Sequence, residues 1–456
     1  MENTTIAAIA TPQGSGGIAV LRVSGPDALG VAARCFHPYG DKAVQDMPGY
    51  TCAYGAFMDG EEMLDDGILT VFRAPKSYTG EDVAELSCHG GTYVAQRILE
   101  ALRHAGAEMA AAGEFTRRAF LAGKMTLSQA ESVLDVIGAT GERELKAAQQ
   151  AKGGALSRRV EKIQTRLVQT LGNLAAWADY PEDEDIPGVS DAQLMQDIEA
   201  VEQALQDTLS TYHYGRVLRE GLQVAILGKP NVGKSTLFNQ LYGGERSIVT
   251  QIPGTTRDVV EETVRLGDLT LTLSDTAGIR ETEDVVEQLG IERSRAKMAE
   301  ADVLLVMLDG SAPWSDEDTA LLEDLPDTPA IAVCNKADKT EFTSLPVPQD
   351  RFFRVVNLSA KTGEGMHDLQ QALEDLVATF ALSPKEGLVA NARQKACLDK
   401  ALESVQAAKE AHAAHMPLDA VTILLDEAAD ALLELDGQRV SDAVVDDVFS
   451  RFCVGK

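Results

Sequence analysis

The chain has few basic residues for its length, and this shortage limits what its surface can bind. Its 456 residues include 41 Lys and Arg against 71 Asp and Glu, a formal net charge of −30. An evenly acidic surface repels phosphate, and non-specific affinity for RNA depends on local Lys and Arg. A general polyanion-binding surface is therefore excluded. One basic stretch, residues 143–171, could touch RNA or a partner, although a solvated helix face is the simpler explanation.

Cysteines and long apolar runs are also scarce. The six cysteines include no Cys-x-x-Cys pair, which fits a reducing cytosol better than a disulfide-rich scaffold. No uninterrupted apolar stretch has the length of a membrane span, and Met1–Thr5 lacks the basic start of a signal peptide. We therefore expect a cytoplasmic protein without membrane contact. At roughly 150 residues a domain, the length predicts about three domains.

A phosphate-binding loop lies in the middle of the chain. Gly228–Ser235 reads G-x-x-x-x-G-K-S, follows the apolar run Leu222–Leu227 and precedes a helix-like segment, which is the setting that this motif requires. Backbone N–H groups of such a loop converge on phosphates, its lysine reaches the β and γ oxygens, and its serine binds Mg²⁺. The residues that we expect to contact the nucleotide here are Asn231, Val232, Gly233, Lys234, Ser235 and Thr236.

A second motif indicates specificity for guanine. Asn335-Lys336-Ala337-Asp338 directly follows the apolar run Ala330–Cys334. The carboxylate of Asp338 can accept hydrogen bonds from N1–H and the 2-amino group of guanine, whereas adenine would leave it unpaired. We therefore predict GTP as the nucleotide, held by Asn335, Lys336 and Asp338. A further segment, Ser359-Ala360-Lys361, resembles the last guanine-binding loop of translation-factor-like GTPases.

Two segments between these motifs resemble the switches of GTPases. In the first, Gly254–Asp258, Thr256 would complete the Mg²⁺ coordination begun by Ser235. In the second, Asp275-Thr276-Ala277-Gly278, Asp275 would hold the metal through water and the Gly278 N–H would face the γ-phosphate. The next residue is Ile279 instead of the glutamine that orients water in Ras-like enzymes. Another group must therefore position the water, and the acidic candidates nearby are Glu281, Glu283, Asp284 and Glu287.

Taken as a whole, the chain resembles the MnmE (TrmE) family of tRNA-modification GTPases. The resemblance rests on Asn231 in the phosphate loop, on Gly254-Thr255-Thr256-Arg257-Asp258 and on the final segment Phe452–Lys456. The segments that match the family's tetrahydrofolate-binding region are Ala10–Pro12, Leu21–Gly25, Tyr78–Val83, Cys88–Gly91, Gly113–Phe120 and Lys124. The resemblance implies a multi-domain fold of α/β and α type. An N-terminal α+β folate-binding domain would accompany a discontinuous helical bundle that carries an inserted Ras-like P-loop GTPase domain.

The implied domains can be placed along the chain. Residues 1–120 would form the N-terminal tetrahydrofolate-binding and dimerisation domain, and residues 121–217 the first half of the helical domain. Residues 218–380 would form the GTPase domain, and residues 381–456 the second half of the helical domain with its Cys-x-Gly-Lys tail. Apolar residues at helical spacing in both flanking segments favour one bundle built from the two halves.

For hydrolysis, the resemblance implies that K⁺ replaces an arginine finger when two GTPase domains pair. Asn231 would give the cation a side-chain oxygen, while Thr250, Ile252 and Thr255 would give it backbone carbonyl oxygens. Of these, Thr250 and Thr255 would also border the nucleotide, as would Thr276 and Ala277 of the second switch. Glu287 matches the family glutamate that aligns the attacking water, and Arg280 resembles a switch residue that follows domain pairing.

For the N-terminal domain, the resemblance implies a site for 5,10-methylene-tetrahydrofolate or its 5-formyl analogue. Its residues would be Arg22, Glu85, Lys124 and Lys456. A carboxylate such as Glu85 can read the amide-like donor face of a pterin, and lysine or arginine suits the glutamate tail. In the family Cys453 is needed for the modification, either as a nucleophile or as a group that lines the folate pocket.

The function implied by the resemblance is GTP-dependent tRNA modification. A homodimer would join a flavin-containing MnmG-type partner in a heterotetramer and place an aminomethyl or carboxymethylaminomethyl group on carbon 5 of the wobble uridine. The tRNA would be held mostly by the partner. Two alternatives stay open, a ribosome-assembly GTPase switch, which shares the 254–258 segment, and a one-carbon transferase in which GTP is only regulatory.

Overall fold

The computed structural model describes residues 4–12, 14–179, 191–243, 262–275, 300–343, 345–380 and 387–456. The chain divides into two compact units, which we treat separately. The first unit comprises Met1–Leu134, Lys152–Asp191 and Glu403–Lys456, and the second comprises Asp135–Ala151 and Ala192–Leu402.

The first unit contains a seven-stranded sheet. Its strands are β1 (Ile6–Ile9), β2 (Ile18–Ser24), β3 (Phe36–Pro38), β4 (Thr51–Asp59), β5 (Glu62–Phe72), β6 (Val83–His89) and β7 (Glu108–Met109). They lie in the order β3-β4-β5-β6-β2-β1-β7, and neighbouring strands are antiparallel except for β1 and β7. Short apolar runs bounded by Gly and Pro predict strands at Ile18–Val23 and Gly67–Phe72, and these lie within β2 and β5.

The helices are numbered through both units. They are α1 (Ala28–Cys35), α2 (Thr92–His104), α3 (Glu114–Leu121), α4 (Leu127–Gly138), α5 (Glu142–Lys152), α6 (Ala155–Asp179), α7 (Asp191–Leu209), α8 (Tyr212–Glu220), α9 (Lys234–Gly243), α10 (Asp316–Glu323), α11 (Met366–Phe380), α12 (Ala392–Ala413), α13 (Leu418–Asp436) and α14 (Asp442–Ser450). Among the described helices, none is long and apolar enough to cross a membrane.

The two faces of the first sheet have different roles because side chains alternate along a strand. Leu21 and Val23 of β2 are buried in one apolar cluster with residues of α1 and α2. Arg22, between them, therefore faces the opposite side of the sheet. A smaller apolar cluster, which includes Phe115 and the partly buried Tyr78, is separate from the first.

Helices from before and after the nucleotide-binding segment pack together in the first unit. Helices α6 and α13 are in contact, and the Ser157 hydroxyl of α6 donates a hydrogen bond to Asp436 Oδ1 at 2.7 Å. The Ser128 hydroxyl of α4 donates to the Leu435 carbonyl at 3.0 Å. Helix α13 ends where Gly437 adopts φ +84°, the left-handed conformation that commonly closes a helix. This packing supports a bundle with two halves, while the domain boundaries stay a prediction.

The second unit contains a six-stranded sheet. Its strands are β8 (Leu222–Gly228), β9 (Glu262–Leu266), β10 (Leu269–Asp275), β11 (Val303–Asp309), β12 (Ala330–Asn335) and β13 (Arg354–Asn357). The order is β13-β12-β11-β8-β10-β9, and only β9 and β10 pair antiparallel. Strand β8 is nearly continuously apolar because it is covered on both faces: Val224 and Ile226 lie in one core cluster, Ala225 and Leu227 in another.

Apolar residues at helical spacing predict one helix over Leu194–Tyr212, but the structure has two helices there, α7 and α8. The first helix ends at Leu209 and the second begins at Tyr212. The Thr211 hydroxyl donates to the Thr208 carbonyl at 2.7 Å and accepts the Val389 N–H at 3.1 Å. These bonds give the backbone an alternative to a continued helix, and the chain turns there before α8 leads into β8.

Candidate functional sites

The phosphate-binding loop has a shape that its glycines alone allow. Gly228 and Gly233 have φ of +147° and +105°. A Cβ atom on Gly228 would lie 2.5 Å from the Met307 carbonyl oxygen, and one on Gly233 would lie 2.2 Å from Asn335 Nδ2. Both positions therefore require glycine on two counts, the backbone conformation and the lack of space. The loop packs closely against β11 and β12 as a result.

Lys234 and Ser235 lie where the loop becomes helix α9. The Lys234 ammonium donates hydrogen bonds to the carbonyls of Gly228 and Lys229, at 2.7 and 2.8 Å. Ser235 and Thr236 are exposed in the first turn, at the positive end of the helix dipole. An exposed hydroxyl beside a phosphate-binding helix start suits Mg²⁺, which prefers oxygen ligands.

Asn335 connects three of the predicted motifs. Its side chain is buried, its Nδ2 donates to the Val232 carbonyl at 2.8 Å, and its Oδ1 accepts the Ala360 N–H at 2.9 Å. One amide thus ties the phosphate loop to both guanine-binding segments. Because both ends of this amide bond to the protein, Asn335 shapes the guanine pocket by holding its walls together.

Lys336 is held by a carboxylate that the motif search did not single out. It has φ +69°, and its Nζ contacts Asp309 Oδ2 at 2.5 Å. Burial acts to raise the pKa of Asp309, but hydrogen bonds from Lys336 and Ser311 outweigh it, so the pKa is lowered. Asp309 ends β11, the strand beside β12, and that position at the same sheet edge is the signal that could have found it.

Asp338 is prepared to accept hydrogen bonds. The Ser359 hydroxyl donates to its Oδ1 at 2.6 Å. This bond is the main reason that the pKa of Asp338 lies below its ordinary value, and the charge of Lys361 lowers it further. The carboxylate is therefore ionised near neutral pH, as recognition of N1–H and the 2-amino group of guanine requires.

Part of the predicted nucleotide site lies outside the described residues. These positions are Thr250, Ile252, Thr255, Thr256, Thr276, Ala277, Gly278, Arg280 and Glu287. Asp275 ends β10, and its backbone stands in register with Ile226 of β8, the strand that leads into the phosphate loop. The start of the predicted second switch is therefore adjacent to that loop.

In the first unit, Arg22 and Glu85 form an ion pair across neighbouring strands. They are direct partners in the β2–β6 register. Arg22 Nε and Nη2 donate to Glu85 Oε1 at 2.9 and 2.8 Å. The two side chains are 15% and 27% exposed, so the pair is partly screened from water yet open to a ligand. The sheet thus brings together Arg22 and Glu85, two of the four residues predicted for the folate site.

Two aromatic rings flank this ion pair. The Arg22 guanidinium lies 5.6 Å from the Tyr78 ring centre and 5.5 Å from that of Phe115. The Tyr78 hydroxyl lies 2.9 Å from Thr116 Oγ1, and burial raises the pKa of Tyr78. Sequence reasoning did not select these two rings, although both lie in segments matched to the folate-binding region. Phe115 is fully buried and Tyr78 is half-buried, so the two rings pack around the Arg22 guanidinium. We call Arg22, Glu85, Tyr78 and Phe115 together the slot.

The last residues of the chain reach the same site. Ala112 and Val454 form a β-bridge, and the Phe115 N–H donates to the Lys456 carbonyl oxygen at 3.1 Å. Lys456 is thus bonded to the residue whose ring lies 5.5 Å from the Arg22 guanidinium, and burial lowers the pKa of Lys456. Cys453 is an exposed free thiol on this tail.

Lys124 contacts the loop that carries Tyr78 more than it contacts the ion pair. Its Nζ donates to the Pro75 carbonyl at 2.8 Å. A Cβ atom on Gly80 would lie 3.7 Å from Lys124 Cδ. The structure thus groups Arg22, Glu85 and Lys456, and it places Lys124 against the 75–80 loop.

A network of charged and polar side chains connects Glu81, just after that loop, with α3 and β2. Arg118, 8% exposed, pairs with Glu81 at 3.3 Å and with Glu114 at 2.8 Å. Glu81 Oε2 also accepts the Ser24 hydroxyl at 2.7 Å. Buried charges require such partners, and the network fixes the loop and α3 relative to β2.

Comparison with known proteins shows the family of the chain. A family model described as the MnmE helical domain matches residues 127–453, and one described as the GTP-binding protein TrmE N-terminus matches residues 5–124. The tRNA modification GTPase MnmE of Carboxydothermus hydrogenoformans is 40% identical over 463 residues, covering 100% of both chains. The chain belongs to the MnmE family of tRNA modification GTPases. The MnmE of Acetivibrio thermocellus is 38% identical, with 99% of each chain covered.

Solved structures include more distant similarities, each over less than half of the chain. Era of Aquifex aeolicus bound to GDP.AlF4⁻ is 27% identical and covers 40% of this chain and 66% of its own, with a TM-score of 0.26. The G domain of the T. maritima FeoB iron transporter is 24% identical and covers 35% and 98%, with a TM-score of 0.25. Family membership confirms the predicted fold class, multi-domain α/β and α, and the predicted enzyme class, a GTP hydrolase.

Proposed function

We propose that this GTPase is activated by K⁺ when two of its GTPase domains pair, and that it modifies carbon 5 of the wobble uridine of certain tRNAs. It does so as a cytoplasmic homodimer in a heterotetramer with an MnmG-type flavoprotein, which holds most of the tRNA. The observation that carries the proposal is the presence, in one MnmE-family chain, of a guanine-nucleotide site and a separate slot built from Arg22, Glu85 and two aromatic rings.

The phosphate loop offers residues that suit both cations. Asn231 is exposed and has φ +63°, a conformation that asparagine tolerates better than most residues. Its amide oxygen is a hard ligand of the kind that K⁺ accepts, and Thr250, Ile252 and Thr255 would add carbonyl oxygens. Ser235 and Thr256 would hold Mg²⁺. A fixed positive charge beside the β/γ bridge supplies electrostatic stabilisation of the transition state.

Different side chains of the protein then bind the phosphates, select guanine and align the attacking water. Lys234 exchanges its two carbonyl partners for the phosphate oxygens, and the loop N–H groups hold the same oxygens. Asp338 and Ser359 select guanine. Glu287 aligns the attacking water, and Arg280 responds to domain pairing. The free energy released changes the conformation of the switches, while the uridine chemistry belongs to folate and flavin.

The slot in the first unit fits a tetrahydrofolate. Arg22 and Lys456 would provide cations for carboxylates and Glu85 an acceptor for a pterin, while the Tyr78 and Phe115 rings hold the Arg22 guanidinium in place. When bound, 5,10-methylene-tetrahydrofolate supplies the one-carbon unit. Lys124, which lies against the 75–80 loop, would hold the glutamate tail, and Cys453 would line the pocket or act as a nucleophile.

Exposed apolar side chains on the first sheet support the homodimer. Five large side chains on and near β3, β4 and β5 are 45–65% exposed: Tyr39, Tyr50, Tyr54, Met63 and Ile68. Monomeric proteins rarely leave such patches uncovered, and interfaces are enriched in tyrosine and methionine. We infer that a second copy covers this surface.

Mass analysis of wobble nucleosides tests the substrate directly. Cells that lack the gene should lose the carbon-5 modification, and the wild-type gene should restore it, whereas an Arg22→Met variant should not. Persistence of the modified uridine would refute the proposal. A ribosome-assembly switch would instead leave the nucleosides intact and show no binding of 5-formyl-tetrahydrofolate to the purified protein.

Glu287→Ala tests the proposed water-aligning residue. Because Glu287 acts on the water and does not hold the nucleotide, the variant should bind GTP normally and lose most turnover, by about 100-fold or more. Fluorescent-nucleotide binding and single-turnover hydrolysis in KCl measure the two effects. Unchanged turnover would remove Glu287 from the mechanism, and equal rates in NaCl and KCl for the wild type would remove K⁺.

A further inference from the structure

Lys229, the second residue of the phosphate loop, is bound to a helix that no motif of the nucleotide site includes. Its Nζ donates hydrogen bonds to Ser315 Oγ at 2.8 Å and to Asp318 Oδ2 at 2.7 Å. Ser315 is the N-cap of α10, and Asp318 is the third residue of that helix. The loop is therefore connected to the start of α10 by one side chain.

The partner carboxylate is largely removed from solvent. The Asp318 side chain is 7% exposed and that of Lys229 is 24% exposed. Asp318 Oδ2 also accepts the Ser315 N–H at 3.0 Å and the Ser315 hydroxyl at 2.8 Å, within a capping box. A carboxylate so buried needs its cation, and removal of one partner is costly, so the connection is a firm one.

The backbone of Lys229 belongs to the phosphate-binding machinery. Its carbonyl oxygen accepts a hydrogen bond from Lys234 Nζ at 2.8 Å. Asn231 follows two residues later, and the carbonyl of Val232 is held by Asn335 at 2.8 Å. The loop thus has two anchors, one on α10 through Lys229 and one on β12 through Asn335, with Asn231 between them.

We propose that Lys229 is a positioning residue for GTP hydrolysis: through Ser315 and Asp318 it holds the loop, and with it Lys234 and Asn231, in the geometry that the triphosphate needs. The Lys229 ammonium pairs with Asp318 of α10, so Lys229 acts through the loop backbone and not on a phosphate. Preorganised donors lose less freedom on binding and need no rearrangement during the reaction. The inference rests on GTP hydrolysis alone and is independent of the folate and tRNA chemistry.

The test compares three variants of the full-length protein. Lys229→Met keeps the length of the side chain but leaves Asp318 without its cation, and Lys229→Arg keeps the cation. The third variant combines Lys229→Met with Asp318→Asn, so that no unpaired charge is buried. A matched control is Lys395→Met, since Lys395 also pairs with an aspartate, Asp399, in the exposed part of α12.

Positioning and simple stabilisation give different results for these variants. Because a misplacement of about 1 Å can cost about 100-fold in rate, we expect Lys229→Met to lower kcat/KM for GTP by at least about tenfold. Lys229→Arg should recover most of this loss. The double variant should regain the thermal stability of the wild type, as measured by its Tm, yet stay at least about tenfold slower. The control should change kcat/KM by less than about twofold.

Two outcomes would overturn the proposal. One is a Lys229→Met protein with wild-type kcat/KM, and the other is a double variant that regains both Tm and kcat/KM, which would make Lys229 a stabilising residue only. If Lys229→Met alone does not fold, the double variant decides the question by itself. Intrinsic GTP hydrolysis without folate, tRNA or partner is the readout, so a failure here leaves the proposed tRNA chemistry untouched.

Discussion

The two sites place their main cations in different surroundings. At the nucleotide site, Lys234 is held by two uncharged carbonyls. In the first unit, Arg22 is already paired with a carboxylate, Glu85, at 2.8 Å. Phosphates that reach Lys234 meet an ammonium that is bonded to backbone carbonyls of its own loop, whereas a ligand at Arg22 must replace or share a carboxylate on the neighbouring strand. The second arrangement favours selection of a ligand with both donor and acceptor groups.

The two sites also differ in the sequence separation of the residues that form them. The nucleotide site consists of short segments at the ends of parallel strands, and a single amide, Asn335, joins them. The slot in the first unit joins residues that are 63 positions apart in β2 and β6 and adds the end of the chain. The slot therefore depends more on tertiary packing than the nucleotide site does.

The largest effect on stability should come from Arg118. Arg118→Met removes the cation that pairs with the buried carboxylate of Glu114 and the partly buried one of Glu81, so the free energy of unfolding of the first unit should fall by about 3–5 kcal/mol. Denaturant unfolding measures it. Arg34→Met, which breaks an exposed pair with Asp27, should cost less than about 1 kcal/mol. If Arg118→Met and Arg34→Met lower the free energy of unfolding equally, the Arg118 network does not stabilise the slot.

Lys234→Ala should have the largest effect on GTP binding. Because Lys234 is the charged residue that the phosphate-loop motif directs to the β and γ oxygens, the binding free energy should weaken by about 2–5 kcal/mol, as titration calorimetry with GTP would show. Binding of 5-formyl-tetrahydrofolate should stay unchanged, because the slot lies in the other unit. A loss of folate affinity in this variant would contradict the independence of the two sites.

A smaller loss is expected at the paired cation. Arg22→Met should weaken binding of 5-formyl-tetrahydrofolate by about 1.5–3 kcal/mol, the usual contribution of a hydrogen bond to a charged group. GTP affinity should not change. Arg97→Met is the matched control, since Arg97 of α2 pairs with Glu62 of β5, away from the Arg22–Glu85 pair. Normal folate binding by Arg22→Met would exclude the Arg22–Glu85 pair from the site.

The smallest effect concerns pH at Asp338. Its folded-state pKa is lowered, mainly by the hydrogen bond from Ser359, so guanine recognition is complete above the ordinary aspartate range. It is lost only as the pH falls through the lowered pKa. Ser359→Ala should shift the acid limb of GTP binding to higher pH. If the pH dependence of GTP binding on the acid side is unchanged in Ser359→Ala, another group determines it. Ser311→Ala is the control variant, because the Ser311 hydroxyl bonds to Asp309 instead of Asp338.

Much of the nucleotide site could be predicted from sequence because its chemistry is local. A phosphate loop works through consecutive backbone N–H groups, and the Asn335–Asp338 segment follows directly from a strand, so the order of residues nearly defines the geometry. The expected strands at Leu222–Leu227 and Ala330–Cys334 lie within β8 and β12. The break between α7 and α8 could not be predicted, since the Thr211 hydroxyl bonds a residue 178 positions away.

The sequence by itself determined that the chain binds a guanine nucleotide and belongs with the tRNA-modification GTPases, because those properties reside in short motifs. Tertiary structure alone decided the groups that hold the motifs in place. The Lys229–Asp318 connection spans 89 positions, and the rings of Tyr78 and Phe115 meet Arg22 from separate segments. Such contacts arise from burial and charge pairing between distant residues, and no local pattern encodes which partners will meet.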